Sequence, residues 1–190
     1  MKYKTLFFLT ILFTIWLTSK SFAQFNKVGG GIILATGNDY VYEGISYYNK
    51  SVGINIRTNY HLNKKLEIKP GLNIFLPNKE TFADGGESST TVYALNIDAH
   101  LILNHNTRNN FYFYIIGGVH ASGWQIKDDH RSVLLGRTYK YNEFFLIPGV
   151  NLGSGLQFKI GQNIDFFTEV KYTISKTHQL VFNPGIIYQL

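Results

Sequence analysis

His120 and Ser122 are the pair best suited to covalent chemistry. They stand two residues apart and so share a face of any extended strand. No catalytic residue is assigned from this spacing, and the pair stands only as a candidate. No carboxylate stands in an obvious place to orient that imidazole, and His130-Arg131-Ser132, the other close His and Ser, falls in a connecting segment. A second set is ionic: Arg57, Glu67, Lys69, Asp98, Lys159, Asp165, Glu169 and Lys171. These residues alternate with apolar ones and suit an ion-pair network inside a closed sheet. A third set lies in two long connections. Gly37 to Lys50 carries Tyr40, Tyr42, Tyr47 and Tyr48; Gln125 to Glu143 carries Arg131, Arg137 and Lys140. Tyrosine and arginine favour binding hot spots. Metal chemistry finds little support: there is no cysteine, and hairpin register sets His120 opposite Ala94, roughly 20 Å along the face from His100 at about 3.4 Å per residue. No metal site and no cofactor are expected.

What positions these residues is strand alternation. Val52, Ile54, Ile56, Thr58, Tyr60 and Leu62 fall on one parity, with Gly53, Asn55, Arg57, Asn59 and His61 on the other. The same period of two runs through Val28 to Thr36, Leu66 to Leu76, Thr90 to Leu103, Phe111 to Trp124, Phe144 to Ile160, Ile164 to Ser175 and Gln179 to Leu190. That makes eight strands, joined alternately by long and tight connections until a short last one, with no convincing helical period. Hairpin register sets Lys159 opposite Asp165 and His61 opposite Glu67. Pro70, Pro148 and Pro184 each precede a glycine within a strand, where a lost ladder hydrogen bond predicts a local bulge.

Composition decides which face is inside. Charged residues are 16% of the chain and aromatic residues another 16%, whereas soluble domains carry about 25% charge. Tyr60, Phe111, Phe158, Phe166 and Tyr188 stand beside the tight turns, and Tyr93 and Phe144 beside the long connections. Aromatic girdles at two interfaces, an apolar outer parity and a polar inner one describe a transmembrane barrel. The fold expected is all-β, an eight-stranded antiparallel up-and-down transmembrane β-barrel. The same parities with the apolar face inward would describe a soluble periplasmic lipid-binding barrel, the competing architecture.

Residues 1–23 read as a signal peptide. Lys2 and Lys4 precede an apolar run from Thr5 to Thr18, and Ser21-Phe22-Ala23 marks a cleavage site before Gln24. The barrel domain would then span residues 24–190. Removing Lys2, Lys4 and Lys20 takes the net charge from +6 to +3, so the basic balance is no argument for nucleic acid.

The segments PGVNLGSGLQFKIGQNIDFFTEVKYTIS (Pro148 to Ser175) and PGIIYQL (Pro184 to Leu190) resemble the small eight-stranded outer-membrane β-barrel family, of the OmpX, OmpA transmembrane-domain and PorT-like kind. The resemblance implies the outer membrane of a Gram-negative-type bacterium. It also implies outer-membrane lipid and lipopolysaccharide as surroundings, and barrel-assembly machinery as a partner that reads the C-terminal strand. The function it implies is non-enzymatic: a barrel with a side-chain-filled lumen, displaying extracellular loops for envelope integrity, adhesion or assembly with other envelope proteins. His120-Ala121-Ser122 is also similar to the His-x-Ser of outer-membrane lipid A deacylases, which implies a lipid-modifying enzyme as the alternative; the asparagine that follows in that family is Gly123 here.

Overall fold

The computed structural model describes residues 25–36, 39–42, 45–48, 51–81, 87–106, 111–132 and 137–190. Strand follows strand: β1 (Phe25–Thr36), β2 (Asp39–Tyr42), β3 (Ile45–Tyr48), β4 (Ser51–Asn63), β5 (Leu66–Phe75), β6 (Asn78–Thr81), β7 (Glu87–Asn106), β8 (Phe111–Ser132), β9 (Arg137–Lys159), β10 (Ile164–Ser175) and β11 (Gln179–Gln189). Eight of them close into a ring in the order β5-β4-β1-β11-β10-β9-β8-β7, with β7 returning to β5. Every ring ladder is antiparallel, and each strand lies beside its sequence neighbour in the ring. The seam joins the first strand to the last, from Lys27↔Gln189 to Thr36↔Leu180, and the Leu190 N–H adds a bond to the Asn26 carbonyl at 2.9 Å. Closure leaves no raw edge within the ring, the condition for a sheet to sit in hydrocarbon.

The two parities separate as alternation requires. Leu95, Ile97, Val119, Leu152, Ile186 and their outer neighbours are exposed, Leu152 at 54%. Asn55, Arg57, Lys69, Asp98, Glu169 and Lys171 are buried. A water-soluble domain does the reverse, so the chain is a transmembrane barrel and not a soluble barrel with an apolar cavity. The outer aromatics pair across ladders near the tight turns: Phe25 with Tyr60 at 5.7 Å and Phe158 with Phe166 at 5.1 Å between ring centroids.

Three sequence expectations need correcting. Gln125 to Glu143 is not a long loop: β8 and β9 continue pairing out to Ser132↔Arg137. Alternation persists there, but the inner residues Trp124 and Ile126 are apolar and the outer ones polar, which inverts the pattern used to find the strand. The connections Gly37 to Lys50 and Pro77 to Ser89 likewise contain the β2–β3 hairpin and β6. Third, the prolines do not shift the register. The recorded shifts fall between Phe25 and Lys27, His61 and Asn63, and Ile102 and Asn104. A proline removes one hydrogen bond without inserting a residue, so the ladder continues past it.

Candidate functional site: a charged lumen under an apolar plug

The lumen has two chemically distinct halves. At the end of the long connections, Ile33, Ala35, Phe75, Val92, Ala94, Trp124, Ile147 and Val181 form an apolar core inside the ring, with Trp124 fully buried. Below it the lumen is ionic. Arg57 of β4 reaches across to Glu169 of β10, donates from Nε to the Asn55 Oδ1 at 2.6 Å, and lies 4.1 Å from the Phe167 ring centroid. Tyr114 of β8 donates its hydroxyl to the same Glu169 oxygen at 2.9 Å and stacks on His100 at 4.6 Å. Lys171 of β10 joins Asp98 of β7 at 2.8 Å. Asn151 of β9 donates to both Asp98 and Asn96 at 2.9 Å.

Nearer the tight turns, Glu67 accepts from Lys69 at 3.2 Å and meets His61 at 2.6 Å. Asp165 takes Gln157 at 2.8 Å, Gln189 at 3.1 Å and, more loosely, Lys27 at 3.7 Å. Lys27, Arg57, Lys69 and Lys171 thus face Glu67, Asp98, Asp165 and Glu169, four cations against four carboxylates. Buried ions need both a partner and hydrogen bonds to offset desolvation, and each carboxylate here has at least two polar neighbours. Beyond this lattice a cavity of about 480 Å³ opens at the tight-turn mouth, lined by Lys27, His61, Lys64, Tyr112 and Gln157 among others.

Local sequence explains the fit. Gly155 lies opposite Tyr114, and Gly185 opposite Phe167. A Cβ at either glycine would stand within 3 Å of the facing ring. Large inner aromatics therefore lie flat on the bare backbone of the next strand, the arrangement by which aromatic side chains rescue strand glycines.

Seven of the eight ionic residues singled out from the sequence are buried in the lumen; Lys159 is not. Its backbone does face Asp165, but it ends its strand at the rim, where its side chain is exposed, and Lys27 from β1 approaches Asp165 instead. Cross-lumen pairs such as Arg57–Glu169 carry no hairpin signal, since 112 residues separate the partners. The register of His120 also differs: it faces Asn96, not Ala94, because β7 runs on past Leu103 to Asn106, which faces Phe111, and the shift between Ile102 and Asn104 takes back only one residue of that longer pairing.

His120 and Ser122 both point inward, 9% and 3% exposed. His120 shares a 2.8 Å hydrogen bond with Asn96. Ser122 donates to the Ile147 carbonyl at 3.4 Å and accepts from the Trp124 indole at 3.1 Å. Each has its own partner, and the apolar plug surrounds the serine. Nothing in this geometry presents the hydroxyl to a lipid on the outer face. Lys140 is exposed at the outer end of β9, 3.5 Å from Asp129. Tyr40, Tyr42, Tyr47 and Tyr48 belong to the β2–β3 hairpin and Arg131 and Arg137 to the ends of β8 and β9; their side chains lie outside the described residues.

Neither a protein-family model nor a curated protein matches the chain. Solved structures do. The attachment invasion locus protein Ail of Yersinia pestis, in complex with the heparin analogue sucrose octasulfate, aligns with a TM-score of 0.56 at 13% identity, covering 87% of this chain and 97% of that one. Neisserial surface protein A aligns at 0.57 and 15% identity, covering 86% and 96%. The N-terminal β-barrel domain of OprF from Pseudomonas aeruginosa aligns at 0.50 and 12% identity, covering 87% and 98%. At these identities the likeness is one of fold.

Proposed function

We infer that this chain, which has the fold of the small eight-stranded outer-membrane β-barrels, is a non-enzymatic integral protein of the bacterial outer membrane. Its work is to hold an extracellular sheet rigidly above the bilayer for adhesion, envelope integrity or assembly with other envelope proteins. Residues 1–23 serve as the export signal, and the barrel-assembly machinery receives the C-terminal strand. The observation that carries the reading is the lumen. Among the described residues the lumen is filled by a balanced ionic lattice capped by an apolar plug, and the two residues that resembled a catalytic pair each have their own partner inside it.

Display then falls to the sheet that rises beyond the ring. β10 pairs with β9 only from Gly149 onward, while β9 begins at Arg137. Among the described residues, the stretch 137–148 has a ladder on the β8 side alone. An unpaired strand edge offers alternating donors and acceptors to an extended segment of another protein. That segment is the partner proposed here. One of the similar structures is of an attachment invasion locus protein, which agrees with a display role.

Membrane fractionation with unboiled and boiled gel samples tests the location. An outer-membrane pellet with a heat-dependent band shift is expected; a soluble, unshifted protein overturns the reading. Planar-bilayer recording tests the lumen: the reading requires silence, and steady conductance would contradict it.

A further inference from the structure

The cavity at the tight-turn mouth encloses about 480 Å³, a volume within the range of small-molecule sites. Tyr114 and Glu67, both buried, form its inner end. Ile102 of β7 and the half-buried ring of Tyr112 of β8 supply apolar surface. Lys27 lines it from β1, which stands across the ring from β8, and Lys64 lines it from the turn between β4 and β5. An apolar wall with a few polar groups is the usual make-up of a small-molecule site. Which ligand it suits depends on which of those polar groups already have partners.

The carboxylate of this cavity is satisfied and its ammonium groups are not. Glu67 Oε1 meets His61 at 2.6 Å, and Oε2 takes Lys69 at 3.2 Å and Asn59 at 3.3 Å. The Lys27 side chain is only 13% exposed, yet it makes no hydrogen bond among the described residues. The Asp165 oxygen it approaches stands 3.7 Å away and already accepts from Gln157 and Gln189. An ammonium carries three donors and no acceptor, so a largely buried one without a bonded acceptor has unmet hydrogen-bonding capacity. Lys64 is exposed and makes no ion pair among the described residues. Lys27, Arg57, Lys69 and Lys171 already balance four carboxylates, which leaves Lys64 as the surplus charge at this mouth. One lysine lacks acceptors and the other lacks a counter-charge. A single negative charge between them supplies both, whereas a cation would find Glu67 occupied and two ammonium groups opposing it.

We propose that this cavity binds a small carboxylate carried on a ring-sized apolar body, with the carboxylate between Lys27 and Lys64 and the ring against Tyr112 and Ile102. A carboxylate matches the one surplus charge, while a doubly charged phosphate would add repulsion from Glu67 and Asp165. Ammonium groups on flexible stems can close on such an anion from two sides, and hydrogen bonds between ions are the strong ones. Tight turns mark the periplasmic side of such barrels, so the ligand enters from the periplasm. That placement rests on the outer-membrane reading above; the binding chemistry does not.

The test uses the full barrel, folded in zwitterionic nanodiscs, and titrates it calorimetrically with benzoate and with benzamide, which keeps the ring and lacks the charge. Benzoate should bind saturably and at least roughly 10-fold more tightly than benzamide. Lys27→Met removes the inner ammonium and keeps the bulk of its stem; it should bind benzoate roughly 10- to 100-fold more weakly, the loss of a charged hydrogen bond. Lys159→Met removes the same charge from the same rim outside the cavity and should match the unaltered protein. Lys64→Gln changes an exposed turn residue and should weaken binding by about two- to fivefold. A heat-dependent gel shift confirms that each barrel is folded, and if Lys27→Met does not shift, the Lys64→Gln and benzamide titrations decide. No saturable benzoate binding, benzamide binding as tightly as benzoate, or an equal loss in Lys159→Met would each overturn the site. A barrel found in the soluble fraction overturns the outer-membrane reading instead, and the same titrations still decide the site.

Discussion

Arg57 and Glu169 meet across the lumen from strands on opposite sides of the ring, and Tyr114 donates to the same Glu169 oxygen. Neither charge has access to water: their side chains are 4% and 0% exposed. Removing one leaves the other buried and uncompensated. Arg57→Ala or Glu169→Ala should therefore destabilise the barrel by about 3–5 kcal/mol, while a paired Arg57→Met/Glu169→Leu replacement should recover most of that loss. Urea unfolding in lipid vesicles measures both, and additive losses in the paired variant would sink the argument.

The aromatic-on-glycine contacts make a packing prediction. Gly155→Val and Gly185→Val place methyl groups into the rings of Tyr114 and Phe167. Each should lower stability by about 1–3 kcal/mol and reduce the heat-shifted fraction on gels. Trimming the ring together with the glycine change, as in Tyr114→Ala/Gly155→Val, should restore part of the folded yield.

Lipid exposure is testable by depth. Leu152 sits near the middle of the outer face of β9, and Ile160 just past the tight-turn end of that strand. Leu152→Arg should cost about 2–4 kcal/mol and Ile160→Arg about 0–1 kcal/mol. Equal costs at both positions would mean that the apolar face does not lie in a bilayer.

Trp124 provides an internal probe. The chain has two tryptophans, and the other, Trp16, belongs to the segment read as the export signal. The mature barrel should show blue-shifted emission, resistant to iodide quenching, that moves to the red only on unfolding. Trp124→Ala should cost about 3–5 kcal/mol through the cavity left in the plug.

Much of this was legible because alternation is a local property. Arg57, Glu67 and Lys171 could be assigned to one face from their neighbours alone, and His61 could be set opposite Glu67 because a tight turn fixes register over a few residues. What depends on the ring as a whole was not legible. Glu169 finds Arg57 only after eight strands have tilted and closed, and Lys27 reaches Asp165 through the seam between the ends of the chain. The plug was missed for a different reason. A polar-inside rule discounts Trp124, Ile126 and Ile147 as inner residues, yet above the ionic layer a narrow interior is filled best by apolar volume. Ser122 looked reactive in the sequence because nothing there shows the carbonyl of Ile147 and the indole that occupy it.

The seam between β1 and β11 has a mechanical meaning. Lys27 faces Gln189 through the same kind of ladder that joins any two neighbouring strands, so the barrel is a hoop without a distinguished joint. A lateral pull on the tall sheet of β7, β8 and β9 is passed down to the ring, where it spreads as circumferential tension and meets no unpaired strand. A handle raised above a fluid bilayer can bear load only when its base resists in this way.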